Sequence, residues 1–330
     1  MSSALLTAVL LASPASADET ARASKYADRG TLGLTFENDS FADTDRHYTS
    51  GATLSWFSRA GSAPAGLARV LTSTPLLTAG GDARVSVRLG HNMFTPEAIT
   101  TDRFLGDDRP YAGWFYGTAG LLTDTGGRLD HLELTVGMLG PSAMGEEVQT
   151  KVHVWSDSRL PEGWEHQLAN EPGAALTWRR LWRLPPGTGS TGWGAEALPH
   201  VGGSVGNVYT NATAGVSLRL GRDLAADYGP QGVRPVMSGA GFFKPTRAVG
   251  GYAFAGVEGS AVARNIFLDG NTFQESHSVD KHSLLGAAEV GLTLTVLGTR
   301  LSYTHVLRTP EFRGQQGVDD WGSVSISASL

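Results

Sequence analysis

The chain has 330 residues, 43 glycines, no cysteine and a formal net charge of −6. That balance excludes the strongly basic surface of a nucleic-acid binder, and the missing thiols exclude disulfides, thiolate metal sites and a cysteine nucleophile. No stretch holds ~20 consecutive apolar residues, so no transmembrane helix is expected.

The first element is ALLTAVLLASPASA, Ala4 to Ala17. A short apolar run ending in Ala15-Ser16-Ala17 puts small residues at the −3 and −1 positions of a signal-peptide cleavage site. Residues 1–17 are therefore expected to be removed, leaving 18–330 as a single exported domain.

From there on, apolar and polar residues alternate with period two. The alternation predicts strands at roughly 30–37, 48–58, 83–92, 112–122, 128–139, 173–184, 191–202, 210–220, 249–261, 284–296, 299–308 and 321–330. The last is the clearest: Val324, Ile326, Ala328 and Leu330 share one face, Ser323, Ser325, Ser327 and Ser329 the other. A wall with lipid outside and a polar lumen requires this pattern. The fold expected is all-β: a transmembrane antiparallel β-barrel of about twelve strands, with short helical pieces near 64–72 and 145–155. A soluble sandwich or lipocalin-like protein is the competing fold, but it leaves the loop lengths unexplained. Connections 38–47, 93–111, 140–172, 262–283 and 309–320 are long and polar, while 123–127, 185–190 and 297–298 are tight. With both termini in the periplasm, the long loops lie outside. Segments 59–82 and 221–248 fall on the short-turn side; either they fold into the lumen or the strands there need revision. Trp114, Tyr116, Trp178, Trp182 and Trp321 stand near strand ends, where interfacial aromatic girdles occur.

The polar clusters gather on the long loops. Asn38-Asp39, followed by Asp43, Asp45, Arg46 and His47, offers oxygen ligands of the kind a hard cation takes, without the spacing of an EF-hand. Tyr48-Thr49-Ser50-Gly51 then re-enters the wall. Gln149 and His153, four apart, share a face if the segment is helical. The amide carbonyl is then placed to orient the imidazole, and a neutral histidine is the usual general base near pH 7. Arg109, ahead of Pro110-Tyr111-Ala112-Gly113, either binds a substrate phosphate or braces its loop against Asp107 or Asp108. No G-x-S-x-G elbow is present, so serine catalysis has no support.

Taken in order, Asn38-Asp39, Tyr48-Thr49-x-Gly51, Arg109-Pro110-Tyr111-Ala112-Gly113-Trp114, Gln149-x-x-x-His153, Gly163-Trp164, Asn170-Glu171-Pro172 and EFRGQ at 311–315 span almost the whole mature chain. This ordered set resembles the LpxR family of outer-membrane lipid A 3′-O-deacylases. The resemblance implies a twelve-stranded barrel in the outer membrane of a Gram-negative bacterium. It also implies a Ca²⁺-dependent esterase that removes the 3′-linked acyloxyacyl chain of lipid A. It carries over Asn38, Asp39, Thr49, Gln149 and His153 as active-site residues, with Asp39 at the metal. After the histidine the chain reads HVWSDSRLPE, with Arg159 where the family tends to carry an acid. A passive porin or structural barrel, and an outer-membrane phospholipase, are the other functions weighed.

Overall fold

The computed structural model describes residues 29–39, 47–185, 192–232 and 239–330. The expected signal segment and the loop residues Asp43, Asp45 and Arg46 lie outside the described residues. The strands are β1 (Thr31–Asn38), β2 (His47–Phe57), β3 (Asp82–Thr95), β4 (Ala112–Asp124), β5 (Arg128–Leu139) and β6 (Glu171–Trp182). They continue with β7 (Trp193–Gly206), β8 (Tyr209–Arg222), β9 (Val249–Asn265), β10 (Leu284–Val296), β11 (Thr299–Arg308) and β12 (Asp319–Ser329). Each pairs antiparallel with its sequence neighbours, and β12 pairs back onto β1, so the sheet closes into a barrel. Among the described residues three α-helical pieces interrupt the connections: α1 (Ala65–Thr72), α2 (Gly145–Ser156) and α3 (Ile266–Asp269).

Every strand was legible from alternation, but several run further toward the loops than expected. β3 continues to Thr95, β7 to Gly206 and β9 to Asn265. Alternation records where one face meets lipid; the backbone ladder continues beyond that belt, because it needs only a paired neighbour.

The two faces of the wall differ in chemistry. On β1, Leu32, Leu34 and Phe36 are exposed while Thr31, Thr35 and Glu37 are buried. On β12, Ser323, Ser325 and Ser327 face inward and Ile326 outward. Leu134, Val136, Leu176, Leu218, Val257 and Leu292 continue the exposed apolar surface around the barrel. An uncovered apolar belt of this extent is a lipid-facing surface.

The lumen is filled. Tyr48, Phe94, Trp114, Tyr116, Phe267 and Trp321 pack together inside its extracellular half. Trp114, Tyr116 and Trp321 therefore depart from the girdle expectation: their positions fall on the inward phase of their strands, so they form core instead of meeting headgroups. At the other end, the β8–β9 connection turns inward. Its Tyr228, Ala240 and Phe242 pack with Phe57, Leu122, Leu129, Leu181 and Leu198. Asp227, on that connection, accepts from Arg300 Nη1 at 2.8 Å and from Arg219. Among the described residues of the two long segments on the short-turn side, only those of this one enter the lumen. The β2–β3 connection instead lies against the outside of β5 and β6: Trp178 Nε1 donates to the Leu76 carbonyl at 2.5 Å, and the Thr78 N–H donates to Asp130 at 2.9 Å.

Candidate active site on the outer wall

Register brings the first two sequence motifs together. Phe36, Ala52, His91, Phe115 and Met138 pair successively across β1 to β5. Phe36, Phe115 and Met138 are outward and exposed, so this row marks the upper edge of the lipid-facing belt. One outward step further toward the loops lies the row Asn38, Ser50, Met93 and Gly113. Three strand spacings of ~4.8 Å separate its ends, or ~14 Å. Asn38 Nδ2 donates to the Thr49 carbonyl at 2.9 Å. The ladder shifts between Tyr48 and Ser50, and this bulge frees the Thr49 side chain from the alternation, so that its hydroxyl meets that of Thr95 at 2.6 Å. Asp39 follows directly and is buried.

The second motif reaches the Gly113 end of this row from outside. After β5 the chain folds down over the outer face, and the Ala143 carbonyl meets His91 Nε2 at 2.7 Å. α2 begins two residues later. Glu146 and Glu147 in its first turn suit the positive end of the helix. Gly145, Gln149 and His153, four apart, make up its buried stripe. Gly145 packs directly on Gly113 of the rim row. A Cβ on Gly113 would stand 3.2 Å from the Gly145 nitrogen, and one on Gly145 would stand 2.5 Å from the Trp164 ring. The Ala-Gly-Trp motif is thus explained by the seating of a helix on the wall. Asp157, at φ 55°, ends α2 in the left-handed region and turns the chain back.

That reversal carries Arg159 over the histidine. His153 Nδ1 lies 2.5 Å from the Arg159 carbonyl. A carbonyl only accepts, so Nδ1 carries a proton, and in the neutral ring Nε2 keeps the lone pair. The expected ring partner, Gln149, has a different one. Its Oε1 accepts from Trp164 Nε1 at 2.7 Å. Because an indole only donates, the amide oxygen must face Trp164, which turns the NH₂ donors the other way. Those donors are buried and have no partner among the described residues. The role of Trp164 and the Arg159 carbonyl was not legible in advance: one is an aromatic quoted only as a motif letter, the other a backbone atom that any residue carries.

Arg109 is corrected as a substrate contact. It is fully buried, its Nη1 pairs with Glu311 at 3.0 Å, and its guanidinium lies 4.9 Å over the Phe94 ring. A guanidinium with no exposed surface offers nothing to a lipid phosphate. It braces the rim, as the second reading had it, through Glu311; Asp108 instead accepts the backbone N–H of Glu97 and of Arg109. The remaining motifs brace as well. Glu171 accepts from the Asn271 amide at 3.1 Å and the Thr272 N–H at 2.7 Å, and Gln315 Nε2 donates to Asp319 at 2.8 Å.

Among the described residues no group of three or more His, Asp or Glu side chains is placed to hold a metal ion. The donors at the Asn38–Asp39 corner are carboxylate, amide and carbonyl oxygens, the set that suits Ca²⁺ and not a softer ion. Asp43 and Asp45, on the same loop, lie outside the described residues.

Loop 96–111 is tied to the β9–β10 loop by Phe104, whose ring meets His277 edge-on at 4.7 Å and His166 at 5.6 Å. Burial pushes His277 below the ordinary imidazole value; its bond to the Gly106 carbonyl and the nearby Asp108 oppose that, and His166 adds to it. A lowered folded pKa means the neutral ring is favoured in the tied state. Its contribution is complete above about pH 6.5 and is lost as pH falls from there through the lowered value. Hydrogen exchange across 98–108, corrected for its intrinsic pH dependence, is expected to accelerate on acidification from about pH 7.5 to 5.5, around that ordinary value. His277→Gln should abolish the pH response, and a response unchanged in that variant contradicts the assignment.

A closed antiparallel barrel with a lipid-facing belt, a filled lumen and long loops at one end is an outer-membrane β-barrel. The family model for outer membrane protein LpxR matches residues 4–330, and the chain belongs to that family. It resides accordingly in the outer membrane of a Gram-negative cell. Its fold is similar to that of LpxR from Salmonella typhimurium, with a TM-score of 0.75 at 20% identity over 91% of this chain and 100% of that one. The β domain of the Bordetella autotransporter BrkA gives a TM-score of 0.44 at 13% identity, over 92% of this chain and 100% of that one. No curated protein sequence matches the chain.

Proposed function

We propose that the protein is a lipid A 3′-O-deacylase that hydrolyses the ester of the 3′-linked acyloxyacyl chain with His153 as general base. The observation that carries this reading is the seating of α2 on Met93 and Gly113, in the same outward row as Asn38 and Ser50 and one step above the lipid-facing belt. A site there meets an ester at the headgroup–acyl boundary without extracting the lipid. Family membership supports the same substrate. The filled lumen argues against a passive pore.

His153 Nε2 takes a proton from water as the oxygen attacks the ester carbonyl. The Arg159 carbonyl holds the ring through Nδ1–H and stabilises the imidazolium that forms. The NH₂ of Gln149, turned away from Trp164, donates to the developing oxyanion. Asn38 and Thr49 hold the loop that carries Asp39. Collapse of the tetrahedral adduct breaks the bond to the sugar oxygen, which takes the proton from His153; a free carboxylic acid and a 3′-hydroxyl result. Ca²⁺ held by Asp39 would add Lewis-acid stabilisation of the oxyanion.

Mass spectrometry of lipid A from cells producing the protein is expected to show loss of one acyloxyacyl unit. The loss should disappear when the same membranes are incubated after thorough chelation and return on adding Ca²⁺. An unchanged lipid A spectrum would sink the deacylase; full activity after chelation would remove the metal alone. Fatty-acid release from glycerophospholipid in place of lipid A would identify a phospholipase.

A further inference from the structure

The C-terminal half of α2 exposes an unusual amount of apolar surface. Val152, Val154 and Trp155 are 46%, 67% and 88% exposed, and Leu160, just beyond the helix, is 47% exposed. His153 sits in their midst yet is buried. The N-terminal half is different: Glu146 and Glu147 are its exposed side chains, and Lys151 follows them at the start of the C-terminal half. The helix lies outside the barrel, not over its mouth, because Gly113, Met93 and His91, which it and the turn before it cover, are outward positions. It starts beside the row Phe36–Ala52–His91–Phe115–Met138 that ends the lipid-facing belt.

We propose that Val152, Val154, Trp155 and Leu160 insert into the acyl–headgroup boundary of the outer leaflet, so that α2 acts as a membrane-dipping edge continuous with the belt of the wall. Apolar side chains left in water cost free energy in proportion to their area, and the boundary removes that cost. A tryptophan is the side chain best suited to that depth, with an apolar body and one polar N–H. Arg159 and Lys151 reach the headgroups by extending their ammonium or guanidinium ends. The insertion itself depends only on membrane residence. Its consequence, an imidazole held at the depth of an acyl ester, rests on the function proposed above.

The chain has no cysteine, so single labels are clean. Val152→Cys, Val154→Cys, Trp155→Cys and Leu160→Cys, each carrying a polarity-sensitive fluorophore, are reconstituted as full-length protein in phosphatidylcholine vesicles. Glu147→Cys serves as the aqueous reference and Leu134→Cys as the lipid reference. Labels at the four sites are expected to be quenched by a nitroxide placed high on the acyl chain. Iodide should quench them several-fold less than the Glu147→Cys label. If two or more of the four behave like the aqueous reference, the insertion is refuted. The same readings in a His153→Gln background should not move, so a failure of the proposed chemistry leaves the depth result standing.

Discussion

Replacing His153 with glutamine should lower the rate of lipid A deacylation by about 10²–10⁴-fold, the range that a positioned general base contributes. The barrel should remain folded, because the imidazole lies on α2 outside the wall and takes no part in the strand ladder or the luminal core. Glutamine keeps bulk and hydrogen-bonding capacity but cannot accept and return a proton near neutrality. Arg159→Ala is the informative companion. His153 Nδ1 uses the carbonyl of that residue and not its side chain, so the alanine variant retains the partner. Its rate should stay within a few-fold of the parent. Deacylation at the parental rate by His153→Gln would dismiss the general base. Arg159→Ala falling as far as the histidine variant would show that the guanidinium, and not the carbonyl, is what the site needs.

Asp227→Asn is expected to destabilise the barrel by about 3–5 kcal/mol, the usual result of breaking a buried ion pair from one side. The carboxylate is buried between Arg219 and Arg300, accepts Tyr252 OH at 2.9 Å and the Gly229 N–H at 3.0 Å, and its own backbone carbonyl accepts from Arg183 at 2.7 Å. Burial alone would raise its pKa; the two guanidiniums outweigh that and hold it at about 2. Because the folded value lies below the unfolded one, the contribution is complete above about pH 4 and is lost as pH falls through about 2. Asparagine keeps the shape and removes the charge, which takes the carboxylate from Arg300 and leaves Arg219 with Glu196. The midpoint of urea unfolding in detergent should fall accordingly, and the β8–β9 connection should become protease-sensitive. An unmoved midpoint would mean that water or another carboxylate takes over the pairing.

The fold was legible because a membrane wall imposes a rule on single residues. Each strand must alternate between lipid and lumen, so Leu32, Leu34 and Phe36 against Thr31, Thr35 and Glu37 already declare their faces. The shared face of Gln149 and His153, the pair proposed for catalysis, was legible for a similar local reason: it needs only one helical turn and its repeat. The partners of that pair were not. The carbonyl that holds His153 belongs to the backbone, and the indole that fixes Gln149 comes from a loop 15 residues away. Arg109 was ambiguous in the same way, because its carboxylate partner, Glu311, is 202 residues distant. The direction of the aromatics near strand ends also needed the register, since a shift of one residue sends Trp114 from headgroup to core.

Alternation and loop lengths, then, pointed on their own to a membrane barrel of about twelve strands with its polar loops gathered at one end, and the closed sheet has twelve. Only the closed structure decided which loops return to the wall, which of the two long turns fills the lumen, and what each buried polar group bonds to. The division has a physical cause. Burial against lipid acts on each side chain separately and is written into its position, whereas hydrogen bonds and ion pairs join groups whose distance along the chain says nothing about their distance in space.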